Sequence, residues 1–375
     1  MKEETIEEFS EDQKDVLRSI RMSKIILPVV IGLVAVGYLL WRQFDPEEFA
    51  QINWTLHTLF WILAGVAILV VRHLAYSARL FILSQGGFSF RKCVELIFIW
   101  EFSSAVSPTS VGGSAVAFFV LAQEKLSTAK TATIVLYTIV LDSLFFILTL
   151  PFLFALFGTH MIRPNLQEVA DLGGWGLYFL FAYTLMAGYA SVFYYGLFVS
   201  PGQIKRLLVG LTRIKWLRRY RKNAVSLGND MISASHELSK QKWAFHLSAF
   251  LATAVAWSCR FILLNCLIIA FVHLPLAFWP QFELYARLET MFVIIAFSPT
   301  PGGAGFVEVL FGGFLSDYVH NPTYATTIST LWRLLTYYSY LIAGVIAIPN
   351  WIRKILNERR RRRLEKNRKR DAPAG

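Results

Sequence analysis

The sequence predicts an all-α polytopic membrane protein with about six full transmembrane helices and two oppositely oriented re-entrant helical hairpins related as an inverted repeat. Three observations predict this fold class. Of the 375 residues, 55% are apolar and only 17% are charged, whereas soluble domains carry about 25% charged residues. The charges form a few dense blocks between long apolar runs. Two of those runs are interrupted in the middle by Pro and Gly.

Six apolar runs are long enough to cross a hydrocarbon core of about 30 Å. They lie near 24–41, 58–78, 131–157, 175–198, 243–271 and 325–350. The first 23 residues are mixed in charge, and no small-residue cleavage site follows the first run, so we expect an uncleaved span there. The predicted organisation is a cytoplasmic N-terminal tail at 1–23, an integral membrane domain at 24–350 and a basic cytoplasmic tail at 351–375.

The interrupted runs, near 94–122 and 282–315, are either single broken spans or re-entrant hairpins. Basic residues cluster in both tails, at 79–92 and at 199–242. If both runs are hairpins, these clusters face one side and the opposite loops hold only Arg42 and Arg163, as the positive-inside rule requires. We therefore favour hairpins, which place both termini on the cytoplasmic side of a cell inner (plasma) membrane.

The two interruptions resemble each other. The first reads Ser-Pro-Thr-Ser-Val-Gly-Gly-Ser at 107–114, and the second reads Ser-Pro-Thr-Pro-Gly-Gly-Ala-Gly at 298–305. Matched breaks that approach from opposite faces are typical of inverted repeats, which place substrate sites near the membrane midplane. The sequence therefore predicts a site where the two hairpin tips meet.

Each break has a physical interpretation. Pro stops the incoming helix, a neighbouring Ser or Thr caps the outgoing one, and Gly leaves backbone amides open to a ligand. Helix N-termini of this kind bind phosphate and carboxylate groups. Close packing of two broken helices without a ligand is the alternative. The predicted substrate-binding residues of the tips are Ser107, Pro108, Thr109, Ser110, Gly112, Gly113, Thr300, Pro301, Gly302, Gly303 and Gly305.

Ionisable residues within apolar runs are functional candidates because an unpaired charge there is costly. Arg260 and Arg333 offer a fork of donors that fits a phosphate, and Glu308 adjoins the second tip, so we assign all three to substrate binding. Glu101 and Asp142 are predicted to hold the arginines in place as charge partners, or to carry protons or substrate cations. A buried structural ion-pair network is the alternative.

Other charged residues are expected near the membrane surface. Arg72 and His73 lie close to a predicted cytoplasmic span end and are expected to snorkel. Glu283 and Arg287 are four apart, which predicts a helix pair at the level of the interface. The loop at 199–242 begins with an amphipathic basic stretch, which is predicted to lie on the anionic cytoplasmic leaflet, with a plain topology-setting loop as the alternative.

Several classes of site find no support in the sequence. There is no HExxH, GxSxG or P-loop motif and no Cys/His cluster. We therefore predict no catalytic residue, no metal and no cofactor. A role other than that of an enzyme is favoured, and an enzymatic role stays open. The three cysteines, Cys93, Cys259 and Cys266, are expected to pack rather than to form a disulfide. The C-terminal Arg run is interpreted as a topology anchor, and no nucleic acid partner is expected.

The string Pro-Gly-Gly-Ala-Gly-Phe-Val-Glu at 301–308 resembles the Pro-Gly-Gly-x-Gly-x-x-Glu signature of the lysylphosphatidylglycerol synthase transmembrane-region (flippase-like domain) family. Pro108 and Gly112, and Arg333 followed by Tyr337, are also similar to family positions. The resemblance covers about residues 20–350 and is that of a stand-alone member without the soluble aminoacyl-transferase domain. Arg and Glu are common around the first break in the family, and this chain has Ser110, Gly113 and Ser114 there.

The resemblance implies a flippase-like transporter that moves an anionic phospholipid or an isoprenoid-linked lipid between leaflets. The head group would bind at the hairpin tips near the midplane. The implied partners are a membrane phospholipid with an anionic head group and the lipid bilayer, and homo-oligomerisation is left open. Two alternatives remain: an intramembrane lipid-modifying transferase similar to phosphatidylglycerol lysyltransferase, and a small-solute channel or transporter.

Overall fold

The computed structural model describes residues 47, 50, 54–106, 117–118, 120–124, 126–162, 173–214, 216–272, 274–296, 311, 314–344, 347, 351 and 353. Regular secondary structure in these residues is entirely helical, so the all-α class is confirmed. The predicted first span at 24–41, both hairpin tips and Glu308 lie outside the described residues.

Nine α-helices are present in the described part of the chain. They are α1 Leu56–Ser84, α2 Phe90–Val106, α3 Thr128–Phe157, α4 Gly173–Tyr194, α5 Pro201–Leu211, α6 Arg221–Leu238, α7 Trp243–Phe271, α8 Phe278–Ala296 and α9 Pro322–Arg333. A π turn at Tyr195–Val199 continues α4, and another at Leu334–Tyr338 continues α9 into further helical residues up to 344. A 3-10 turn, Gly158–Met161, follows α3.

Four helical stretches are long and apolar enough to cross a membrane. They are Leu56–Ser84, Thr128–Met161, Gly176–Val199 and Trp243–Phe271, and they match four of the six predicted runs. The total of six spans and the two hairpins stay predictions. One boundary was wrong: α1 continues to Ser84 instead of ending near 78, because Arg79, which resembled a loop residue, is paired with an acid inside the bundle.

Helices α1 and α7 form an antiparallel pair. The ring of Trp54, before α1, packs edge-on against Phe271 at the end of α7, with 5.8 Å between centroids. Near the other end, Arg79 Nη1 lies 3.4 Å from Thr253 Oγ1. Between them, Gly65 of α1 lies against α7, since a Cβ there would lie 3.8 Å from the Leu263 carbonyl oxygen. The end of α1 therefore lies beside the start of α7.

The interrupted segments are attached at opposite ends of this pair. The first follows α1, and α3 begins again beside the end of α1, where Lys130 Nζ lies 3.4 Å from Gln85 Oε1. The second follows α7, and α9 begins beside the end of α7, where the rings of Tyr324 and Phe271 are 6.4 Å apart. Each segment thus leaves and returns at one end of the pair.

An ion pair joins residues that lie before and after the interruption of each segment. Lys92 Nζ at the start of α2 lies 2.7 Å from Glu124 Oε1, just beyond the first interrupted segment. Arg287 on α8 pairs with Asp317 beyond the second segment. Arg287 was expected at the surface; its pair with Glu283 is present at 2.8 Å, but the Arg287 side chain is buried because Asp317 supplies a second carboxylate.

The predicted amphipathic loop is a folded two-helix element made of α5 and α6. Gly228 on α6 approaches α5 closely, since a Cβ there would lie 2.5 Å from Lys205 Cγ. Met231 on α6 is buried against Gly196 of the π turn that follows α4. Several apolar side chains of α5 and of the connection to α6 are exposed, and they include Leu207, Leu211, Ile214, Trp216 and Tyr220.

Candidate functional site

Two arginines of α1 pair with the two predicted intramembrane acids. Arg72 is 1% exposed, and its Nη2 donates to Glu101 Oε2 of α2 at 2.6 Å. Arg79 donates to Asp142 of α3. The expectation that Arg72 snorkels was wrong. Because α1 extends beyond 78, Arg72 lies near the middle of the helix, and the Glu101 carboxylate replaces water as the hydrogen-bond partner of its guanidinium.

A chain of hydrogen bonds fixes the Arg72–Glu101 pair. Arg72 Nη1 donates to the Tyr340 hydroxyl at 3.2 Å, and His73 Nδ1 lies 3.2 Å from the same hydroxyl. His73 Nε2 is 3.2 Å from the Val94 carbonyl oxygen, which only accepts, so Nε2 carries the hydrogen. In the neutral ring Nδ1 then accepts from Tyr340. These contacts join α1, α2 and the helix that follows the second π turn.

Asp142 receives a second donor from the neighbouring span. Trp257 Nε1 on α7 donates to Asp142 Oδ1 at 2.9 Å, in addition to Arg79. The Tyr76 ring lies between the two α1 arginines, 5.0 Å from Arg72 Cζ and 4.7 Å from Arg79 Cζ. Such contacts between a cation and a ring stabilise a guanidinium away from water, so both arginines are held in fixed positions.

Arg260 lies near the middle of α7 and differs from the α1 arginines. Its guanidinium packs over the Phe292 ring at 4.5 Å and over Trp257 at 5.5 Å. In the part of the chain that the structure describes, no carboxylate forms an ion pair with Arg260, and its Nε has no hydrogen-bond partner. It interacts electrostatically with Glu101 and Arg72. The guanidinium is therefore held by aromatic rings while its donors stay available.

These residues form one cluster, which we call the inner charge group. It consists of the guanidiniums of Arg72, Arg79 and Arg260 and the carboxylates of Glu101 and Asp142. Among the described residues three cations stand against two carboxylates, so this part of the site has an excess of one positive charge. An excess cation inside an apolar bundle favours the binding of an anion.

Arg333 takes a separate position on α9. It is buried, and its Cζ lies 4.9 Å from the Tyr337 ring centroid. The contacts of the described residues do not link it to Arg260, Glu101 or Asp142. Glu101 and Asp142 were expected to hold Arg260 and Arg333, and the structure pairs them instead with Arg72 and Arg79.

The remaining predicted site residues cannot be placed on these contacts, since the residues of both tips, with Glu308, lie outside the described residues. Sequence reasoning also missed two charged residues. Arg79 was assigned to a loop, and Glu289 on α8, which is fully buried, was overlooked. The signal for Glu289 was present, because it is an acid within the apolar run 282–315.

A family model for the lysylphosphatidylglycerol synthase TM region matches residues 25–344. The chain belongs to this family. The match takes in α1 to α9 and both interrupted segments, so the resemblance predicted from the Pro-Gly-Gly motif is confirmed. A UPF0104 membrane protein from Archaeoglobus fulgidus is 24% identical over 331 residues, which cover 85% of this chain and 94% of the archaeal protein. No solved structure matches the chain.

Proposed function

We propose that this member of the lysylphosphatidylglycerol synthase TM-region family is a flippase-like lipid transporter. It moves an anionic phospholipid or an isoprenoid-linked lipid between leaflets, and the head group binds between the hairpin tips and Arg260. The observation that carries the proposal is the excess positive charge of the inner charge group, with Arg260 as the cation that has no carboxylate partner among the described residues.

The energetics favour an anionic ligand at Arg260. A cation within the bilayer is costly unless it is paired or hydrated, and the nearby carboxylates of Glu101 and Asp142 are engaged by Arg72 and Arg79. A planar guanidinium donates two parallel hydrogen bonds to a phosphate. A phosphate head group that reaches Arg260 offsets the cost of burying this cation, while the acyl or isoprenyl chains of the lipid stay in the bilayer.

The attachment of the interrupted segments supports a site between them. They leave from opposite ends of the α1–α7 pair, and the ion pairs Lys92–Glu124 and Arg287–Asp317 join residues on either side of each interruption. Two hairpins that enter from opposite faces bring their tips toward the midplane. Arg260 and Arg72 lie near the middle of their helices, which is the depth that the proposal requires.

A reconstitution experiment tests the proposal. Purified protein in liposomes with fluorescent phosphatidylglycerol is followed by dithionite quenching, which measures how much inner-leaflet lipid becomes exposed. Wild type should expose more lipid than empty vesicles do, Arg260→Gln should lose the gain, and Arg260→Lys should keep part of it because Lys retains the charge without the fork. Arg206→Gln, an exposed change on α5, is the matched control.

Two results would reject parts of the proposal. If wild type matches empty vesicles with phosphatidylglycerol, cardiolipin and an isoprenyl phosphate, unassisted lipid movement is rejected. If Arg260→Gln transports as well as wild type, the lipid is moved without Arg260, and the inner charge group serves only to hold the bundle together.

A further inference from the structure

Glu289 is a buried acid that the inner charge group does not use. It lies on α8, its side chain is 0% exposed, and its Oε1 contacts the Thr149 hydroxyl of α3. Its Oε2 has no hydrogen-bond partner, and within the described ranges no Lys, Arg or His forms an ion pair with it. Glu101 and Asp142, by contrast, each pair with an arginine. An ionised carboxylate in these surroundings would be uncompensated.

Counting hydrogens gives the protonation state. The Thr149 hydroxyl lies within hydrogen-bond distance of two acceptors, the Phe145 carbonyl oxygen at 2.7 Å and Glu289 Oε1. Its single hydrogen can serve only one of them if Glu289 is a carboxylate. A protonated Glu289 supplies a second hydrogen, so the acid form satisfies both contacts.

The neighbouring titratable groups do not neutralise Glu289. Tyr285 on α8 contacts the carboxyl, and the nearest arginines along α8 and the adjacent α7 sequence are Arg287 and Arg260. Arg287 pairs with Glu283 and Asp317. Arg260 faces the Phe292 ring, and the Tyr285 hydroxyl lies 3.2 Å from Ser258 Oγ of α7. The contacts of the carboxyl among the described residues are thus with the hydroxyl groups of Thr149 and Tyr285.

Glu289 is connected to the anion-binding arginine through α8. Phe292 lies on the same helix, about one turn further on, and its ring packs at 4.5 Å from the Arg260 guanidinium and at 4.9 Å from Trp257. If Glu289 loses its proton, the carboxylate has to gain water. Separation of α8 from α3 would give water access to the carboxyl, and because Phe292 lies on α8 that separation would also change its packing against Arg260.

We propose that Glu289 is a proton-binding site that couples lipid movement to a proton gradient. The carboxyl group holds a proton while α8 packs against α3, and it releases the proton to water, leaving a carboxylate, when the two helices separate. Loss of the proton and rearrangement of the ring that covers Arg260 then belong to the same step. This inference rests on the proposed lipid transport for its coupling, whereas the proton site itself can be measured without transport.

Infrared spectroscopy of the protein in lipid tests the proton site. Wild type should show a carboxylic acid C=O band at neutral pH that Glu289→Gln lacks. Glu283→Gln, on the same helix, should keep the band because Glu283 forms an ion pair with Arg287 at 2.8 Å. Thr149→Val should keep the band at a shifted frequency, since it removes the acceptor without removing the acid. A band that is unchanged in Glu289→Gln overturns the proposal.

Transport under an imposed pH gradient tests the coupling. One pH unit corresponds to a tenfold difference in proton activity, so the lipid distribution of wild type should respond by up to about tenfold, whereas that of Glu289→Gln should not respond. An equal response in both proteins overturns the coupling. If wild type moves no lipid at any gradient, the proposed transport and its coupling both fail, and the infrared band still decides whether Glu289 holds a proton.

Discussion

Replacing Glu101 by Ala removes the carboxylate that accepts from Arg72 and leaves a buried guanidinium without its ion pair. Breaking a buried pair from one side costs about 3–5 kcal/mol. Arg72 is 1% exposed and would keep its bond to Tyr340 and its contact with the Tyr76 ring. We therefore expect the lower end, about 3 kcal/mol of unfolding free energy.

A double-mutant cycle measures this coupling. Arg72→Met, Glu101→Leu and the combined variant are unfolded by denaturant in mixed micelles, and the combined variant should regain much of the stability that each single change loses. Glu95→Ala on the same helix is the control. Glu95 makes a 3.4 Å contact with Lys92 at a partly exposed position, and its loss should change stability by less than about 0.5 kcal/mol. Effects of Arg72→Met and Glu101→Leu that simply add would refute the reasoning.

Three further changes probe other parts of the molecule. In a background without native cysteines, Glu124→Cys and Asp317→Cys should react with an impermeant thiol reagent from opposite sides of a sealed vesicle; labelling of both from one side would contradict the hairpins. Burial raises the pKa of the Asp230 carboxyl on α6, so ionising this carboxyl destabilises the folded protein. The loss of stability is absent at a pH below the usual aspartate pKa and grows as the pH rises through the raised pKa. Asp230→Asn should therefore raise the melting temperature at neutral pH but not in acid, and an equal gain at both would contradict this. Gly344→Ala places a Cβ 2.1 Å from Phe102 Cδ2 and should lower the melting temperature, with partial recovery when Phe102→Ala is added; no loss would show that the last helix can shift.

The four long spans could be predicted because lipid requires about 20 consecutive apolar residues in a spanning helix. Their ends were harder to predict. Arg79 was assigned to a loop because hydropathy considers only neighbouring residues, and the acid that compensates it, Asp142, is far away in sequence. The interpretation of Arg72 failed for the same reason, since its partner Glu101 belongs to another helix.

The sequence was enough to identify most residues of the candidate site, but not to predict which of them form ion pairs with each other. Acids and arginines inside apolar runs identified Glu101, Asp142 and Arg260, but which carboxylate faces which guanidinium depends on how the helices pack. Glu289 could have been found by the rule that selected Glu101. The two-helix element α5–α6 was predictable only in part. Its basic amphipathic face is visible in the sequence, whereas the contact between Gly228 and Lys205 that packs the two helices together is not.

The π turn at Leu334–Tyr338 has a consequence for how the two halves of the molecule are joined. A π turn holds one more residue than an α-helical turn, so the side chains after it are rotated by about 100°. Before the turn, Ile328 and Trp332 pack in one core with Phe311 of the second segment. After it, Leu341 joins the other core, and Gly344 approaches Phe102 of α2. One continuous helix thus packs against both hydrophobic cores, so a displacement of this helix at one core is expected to be felt at the other.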